Sequence, residues 1–294
     1  MIFSRVNLVA LRYASLQLYL QRGVLDCSGA IAGARTDPRR HKSLSRLSGH
    51  CLCRSAHGFV APATEASAAS CPKVAFIGAR GSDQAADDNG GFGPQIASVR
   101  TYFLSRALSA GWSIEMSPVK YDAVNVVSLW VVANKGIYDS SVALGRENVI
   151  GQVGRYYWDC GGKTRVVLAG YSQGGDVVGD ALEKMFAKYP KYVSIVDGVI
   201  MLGDPKFKAS ASHYNSGNYI TNLNGVYASV HGVKRSLSAS QGQRVHSYCI
   251  HADPICNWGG VAPNQHFAYQ NKRWDSSQTY TQAAAAFLAS RVRP

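Results

Sequence analysis

The sequence predicts an α/β fold: a three-layer sandwich with a central, mostly parallel sheet covered by helices on both faces. Two observations carry this. Short apolar runs of strand length alternate with longer segments of helical period through residues 71–294. The runs are apolar at consecutive positions, as expected of strands buried on both faces.

The elements follow in chain order. Lys73-Val-Ala-Phe-Ile-Gly78 reads as a buried strand, and Ala79-Arg80-Gly81-Ser82 as the glycine loop that ends it. From Ile96 to Ala110, the spacing of Ile96, Val99, Phe103, Leu104, Ala107 and Leu108 predicts an amphipathic helix, closed by Gly111. Trp112–Tyr121 supplies a second strand, and Ser141–Trp158 another helix. Thr164–Gly170 is a strand, and Asp176–Tyr189 a helix that stops at Pro190. Ile195–Met201 is a strand running into Gly203-Asp204-Pro205, and Val245–Ile250 a shorter one. Thr279–Val292 is a final helix with Ala284, Phe287, Leu288 and Val292 on one face. No internal repeat is present.

The first 70 residues differ in kind. Residues 6–20 are apolar but interrupted by Arg12, and Arg35–Arg54 is basic and irregular. The small residues of Ala61–Ser70 suit a linker or a cleavage region. We expect residues 1–70 to be poorly ordered and to lie outside a single domain formed by 71–294. They read as an export segment or as translation upstream of the true start, with an Arg-rich organellar transit peptide as a third reading.

The net charge is +13, of which +6 falls in residues 1–70 (nine Lys/Arg, three Asp/Glu). The basic residues of the rest are scattered rather than clustered, so a solvated basic surface is expected, not nucleic-acid binding. No stretch reaches the roughly 20 apolar residues a membrane span needs. Of seven cysteines, Cys71, Cys160, Cys249 and Cys256 lie in 71–294. An even set of four fits two disulfides and an oxidising compartment. Their spacing does not suit zinc, and Cys51-x-Cys53 is too close for the usual ligand pair.

Chemistry is concentrated at Gly170-Tyr171-Ser172-Gln173-Gly174. The apolar strand before it and helical sequence after it give G-x-S-x-G its required setting, the nucleophile turn of an α/β hydrolase. Such a turn holds the serine in a strained conformation and exposes its oxygen above the sheet. The helix start then aims backbone N–H groups at a developing oxyanion. The rival reading is a chance match on a glycine-rich loop.

A serine nucleophile needs a base, and the base an orienting carboxylate, in the chain order Ser, acid, His. Asp253 sits inside Cys249-Ile-His-Ala-Asp-Pro-Ile-Cys256, where a disulfide closing eight residues would hold it rigidly and stabilise by about 2.5 kcal/mol. His266 follows thirteen residues later, before the last helix. Asp204 is a rival acid on topology, with bracing of the turn at Pro205 as its alternative role. His251 lies too near Asp253 in sequence to receive its carboxylate. His213 and His231 read as surface or loop histidines.

Taken together, these residues resemble the cutinase family of secreted serine esterases, which includes acetylxylan esterases. The resemblance rests on Ala79-Arg80-Gly81-Ser82, Gly170–Gly174, Cys249-x3-Asp253-x2-Cys256 and His266, with Cys71 and Cys160 ahead of their strands. It covers residues 71–294. It implies a Ser172–His266–Asp253 triad, an oxyanion hole from Ser82 and Gln173, and disulfides Cys71–Cys160 and Cys249–Cys256. The first of these would close a loop of ~90 residues, worth about 4–5 kcal/mol. Gln84 stands where many cutinases carry Glu, and Phe207–Arg244 is a long polar insertion expected to shape the substrate groove.

The expected function is therefore secreted, cutinase-like hydrolysis of carboxylic esters through an acyl-enzyme, by a monomer needing no metal or organic cofactor. Acetylxylan esterase or a general short-chain esterase or lipase is the alternative. A catalytically silent wall protein and a cytosolic thioesterase are the rivals of other kinds. Substrates are expected among polyesters, lipid esters and acetylated polysaccharides. Val261, Ala262 and Phe267 are candidates for an apolar groove rim or, equally, for the core.

Overall fold

Strands form where the sequence is continuously apolar and β-branched, and the longest of them lie at the centre of the sheet. The computed structural model describes residues 71–124 and 135–293; the expectations for residues 1–70 lie outside the described residues. β1 (Val74–Ala79), β3 (Arg165–Tyr171) and β4 (Val196–Leu202) are buried over almost their whole length. Only Arg165, at the start of β3, is partly exposed. β2 (Ile114–Pro118) and β6 (Val245–Tyr248) flank them. The four long helices are α1 (Gly93–Ser109), α2 (Lys135–Asp159), α3 (Gln173–Lys188) and α4 (Tyr280–Arg291).

The six-stranded sheet has the order β2-β1-β3-β4-β6-β5, where β5 is Asn215–Ser216. Every neighbouring pair is parallel. Parallel strands need crossovers, which α1, α2 and α3 provide between the first four strands. Side chains alternate between two cores. Ala75, Ile77, Val166, Leu168, Val199 and Met201 pack against α2 and α3. Val74, Phe76, Val167, Ala169, Ile200 and Leu202 pack against α1 and α4. This is the expected three-layer α/β arrangement.

The chain runs from β1 outward to β2, then returns past β1 to β3. The reversal opens a crevice beyond the carboxyl ends of β1 and β3, where ligands bind in open α/β sheets. The register pairs Ala79 with Gly170, so the loop after β1 lies beside the turn after β3.

Several boundaries differ from the sequence reading. Helix α2 begins at Lys135 rather than Ser141, because Gly136, Ser140 and Ser141 weaken the helical signal of its first turns. Helix α3 begins at Gln173, directly after the turn, three residues earlier than the apolar pattern suggested. The stretch Phe207–Arg244 contributes β5, the edge strand paired with β6. Two residues carry no periodicity to read.

Disulfides join Cys71 to Cys160, tying the start of β1 to the end of α2, and Cys249 to Cys256, closing the loop after β6. Among the described residues, no helix is long and apolar enough to cross a membrane.

Candidate active site

The turn after β3 is tight enough to require glycine at two places. A Cβ on Gly170 would lie 2.1 Å from the Gly174 carbonyl oxygen, and one on Gly174 would lie 2.2 Å from that of Ala79. With both absent, helix α3 leaves close to the strand it follows. Ser172 at the apex has φ 54° and ψ −121°, a region a non-glycine residue occupies only when its surroundings enforce it. Its N–H donates to the Leu202 carbonyl at 2.8 Å, which locks the turn to β4. Among the described residues, the non-glycine residues with positive φ are Asp83, Asn89, Ser172 and Ala252. Asp83 follows Ser82 and Ala252 precedes Asp253, so strain gathers around this site.

Three side chains meet above the sheet. The Ser172 Oγ and His266 Nε2 are 3.0 Å apart, and His266 Nδ1 lies 3.0 Å from Asp253 Oδ2 and 3.1 Å from Oδ1. With a carboxylate accepting from Nδ1–H, Nε2 carries the lone pair and faces the hydroxyl. Asp253 is fully buried, Ser172 4% exposed and His266 7%.

The carboxylate of Asp253 is fully engaged. Its Oδ1 accepts the Ile255 N–H at 2.9 Å, and its Oδ2 accepts the Tyr269 hydroxyl at 2.7 Å. Burial, then the nearby Asp253 charge, pushes the Tyr269 hydroxyl well above its usual range, so it remains a donor. His266 is held from the other side. The Tyr171 ring stacks on the imidazole at 4.9 Å, and its hydroxyl donates to the His266 carbonyl at 2.9 Å.

Neither tyrosine was singled out from sequence. Tyr269 stands three residues after His266, one helical turn away, and that spacing was the available signal.

Across the crevice, Ser82 Oγ donates to Gln173 Oε1 at 3.2 Å, so the two residues named for the oxyanion hole touch. The Gln173 N–H is the first of α3 and has no intrahelical acceptor. The loop bearing Ser82 is fixed by Gln84. The Gly81 N–H donates to Gln84 Oε1 at 2.7 Å, Gln84 Nε2 donates to Gln95 Oε1 at 2.6 Å, and Arg80 Nε donates to the Gln84 carbonyl at 2.8 Å. The amide thus both accepts and donates here.

Asp204, the rival acid, is engaged elsewhere. Arg235 Nε and Nη2 donate to its two oxygens, each at 3.0 Å. Arg235 is fully buried and also contacts Asp176 (3.0 Å), Asp180 (2.7 Å) and Glu183 (3.4 Å), all on α3. Lys206 adds a second cation, 2.9 Å from Asp176 and 2.8 Å from Asp180. Carboxylates outnumber cations in this cluster. Burial first, and Asp180 next, push Asp176 up to about 7. For Asp180 burial acts in the same direction, but Arg235 and Lys206 prevail and hold it down to about 2.

The insertion is therefore anchored to the nucleophile helix by a buried arginine. Its middle braces the acid loop, where Trp258 N–H donates to the Asn224 carbonyl at 2.7 Å and Val226 N–H to the Ile255 carbonyl at 2.8 Å.

Of the remaining histidines, His251 is exposed, and His213 Nε2 lies 3.0 Å from the Leu237 carbonyl. His231 packs on the Tyr227 ring. Val261 is 90% exposed and Phe267 65%, with Trp258 at 37%, so these side chains on the acid and histidine loops are surface, not core. Ala262 is partly exposed.

Comparison with known proteins places the chain in a family. A family model described as Cutinase matches residues 70–292. Acetylxylan esterase 2 of Talaromyces purpureogenus is 28% identical over 167 residues, 53% of this chain and 64% of that protein. The chain thus spans just under two thirds of that relative. A solved acetylxylan esterase superposes with a TM-score of 0.56 at 26% identity, covering 76% of this chain and 100% of that one. A cutinase-like protein from Cryptococcus sp. gives the same TM-score at 18% identity, covering 76% and 97%, a likeness of fold alone.

Proposed function

We propose, on the premise that the chain belongs to the cutinase family, that it is a secreted serine hydrolase of carboxylic esters. The observation that carries this reading is the unbroken hydrogen-bonded chain from Ser172 through His266 to Asp253 at a strained turn.

The chemistry follows from the atoms. Ser172 Oγ attacks the ester carbonyl while His266 Nε2 takes its proton. The negative charge on the carbonyl oxygen is held by the N–H groups of Ser82 and Gln173, each such donor typically worth about 3–4 kcal/mol. The imidazolium protonates the departing alcohol, leaving an acyl-serine. Water, deprotonated by the same nitrogen, then releases the acid. Asp253 keeps the Nδ1–H tautomer in place and stabilises the imidazolium.

Secretion is supported by the two disulfides, which persist in oxidising compartments. Exposed Phe267, next to His266, and exposed Val261 and Trp258 in the loop between Cys256 and His266 favour an apolar acyl substrate such as a polyester, the cutinase reading. Likeness to acetylxylan esterases favours acetylated polysaccharide as the second reading.

Hydrolysis of p-nitrophenyl esters from acetate to palmitate, with cutin and acetylated xylan alongside, tests this. A cutinase accepts medium and long chains and releases monomers from cutin. An acetylxylan esterase is confined to acetate and deacetylates xylan. Inactivity on every substrate by folded, disulfide-bonded protein contradicts the proposal.

A further inference from the structure

We propose that the protein carries a second binding site, for an oxyanion, at the end of the sheet opposite Ser172. A cavity of about 460 Å³ opens there, walled by Arg244, Arg291 and Arg293. Strand β3 begins at Arg165 beside this cavity and ends next to Ser172, so the two sites are roughly 20 Å apart at ~3.3 Å per strand residue.

Among the described residues the charges do not balance: four guanidinium groups, from Arg165, Arg244, Arg291 and Arg293, gather around one carboxylate, Asp197. That carboxylate is already divided between Arg165 Nε at 2.9 Å and Arg293 Nε at 2.7 Å. Backbone carbonyls take part of the excess. Arg244 Nη1 donates to Val193 and Val196 oxygens at 3.0 and 2.7 Å, and Arg165 Nη2 to the Ser194 oxygen at 2.9 Å.

Arg291 has no carboxylate or carbonyl partner among the described residues. Its stem is anchored all the same, because it crosses Gly198 of β4 where a Cβ would come within 3.2 Å. Burial, then the nearby Arg293 charge, lowers the basicity of Arg244.

The neutral part of the wall suits an oxygen-rich guest. Gln243 supplies an amide and Ser240 a hydroxyl, while the Ser290 hydroxyl donates to the Phe287 carbonyl at 2.7 Å, and among the described residues the lining holds no acidic side chain besides the engaged Asp197. Guanidinium forks match the two oxygens of a carboxylate or the edge of a phosphate. Both share oxyanion chemistry, and two sources present it: free phosphate, or the uronate units of an acidic polymer. In the second case the site holds the enzyme to a polymer surface and leaves the opposite end of the sheet open.

Calorimetric titration of the full chain at 50 mM salt with inorganic phosphate and, separately, trigalacturonate tests the site. The variants are Arg291→Gln and Gln243→Glu, both at exposed positions. Lys120→Gln, on the far side of the sheet, controls for diffuse charge.

Binding to either probe that weakens at least tenfold in Arg291→Gln and disappears in Gln243→Glu, with Lys120→Gln unchanged, supports the proposal. Tighter binding of trigalacturonate identifies the polymeric source, and tighter binding of phosphate the free ion. Absence of heat for both probes at 10 mM, or equal weakening in Lys120→Gln, overturns it. Heat is read without turnover, so failure of the esterase reading leaves this result standing, and the reverse.

Discussion

The hydroxyl of Tyr269 donates to Asp253 Oδ2 at 2.7 Å, against the same oxygen that faces His266 Nδ1. A fully buried tyrosine thus aims the carboxylate that aims the imidazole. It also accepts the Ile250 N–H at 3.4 Å, so one hydroxyl links the end of β6 to the acid loop.

Tyr269→Phe is expected to keep the fold and lower kcat about 10-fold, with KM little changed. The ring remains, and one charge-assisted hydrogen bond, typically ~1.5–3 kcal/mol, is lost from the carboxylate. A purely structural role would lower stability and leave kcat unchanged.

Arg235→Met is expected to destabilise by roughly 3–5 kcal/mol or to prevent folding, because it strands buried Asp204 without its cation and leaves buried Asp176 with Lys206 alone. Arg235→Lys should recover little, since a single ammonium cannot fork across Asp204, Asp176 and Asp180. Urea unfolding measures both. A loss below about 1 kcal/mol in the Met variant would refute the anchoring role assigned to this arginine.

His246 supplies a pH dependence of stability. Burial, then the Arg291 charge, lowers it from the ordinary value near 6.5 to about 4, and its ring stacks on Phe287 at 3.7 Å. The unfolded chain binds this proton near pH 6.5 and the folded chain only near pH 4. The contribution is therefore full above about pH 6.5 and is lost progressively as pH falls toward 4. Urea midpoints measured between pH 7 and 4.5 should fall more gently in His246→Gln than in the wild type; equal slopes contradict this.

Removing the loop disulfide by Cys249→Ser with Cys256→Ser should cost about 2.5 kcal/mol. It should cost more in rate than this modest loss suggests, because Asp253 lies inside the loop it closes. Activity measured well below the melting temperature separates the two effects. Unchanged kcat would mean that Tyr269 and Ile255 suffice to hold the carboxylate.

What could be read from sequence was local. Gly170, Ser172 and Gly174 stand within one turn, and their meaning depends only on the strand before and the helix after. The β1, β3 and β4 strands were equally legible, since burial on both faces makes them apolar at every position. Asp253 could be picked out because two cysteines frame it. The part that stayed closed depends on pairing across the chain. Whether Asp204 served as acid or brace turned on Arg235, 31 residues away, whose burial nothing in its polar surroundings announces. Tyr171 on His266 spans 95 residues. Exposure of Val261 and Phe267 depends on loop placement, which composition does not determine.

The most direct test of the proposed chemistry is covalent labelling with p-nitrophenyl alkylphosphonate, followed by peptide mass spectrometry. Phosphonylation requires an activated serine and releases one p-nitrophenol per modified protein. The account predicts a single adduct on Ser172 at unit stoichiometry, and strong suppression of labelling in His266→Ala. An adduct on another residue, or labelling that persists unchanged in His266→Ala, would contradict it.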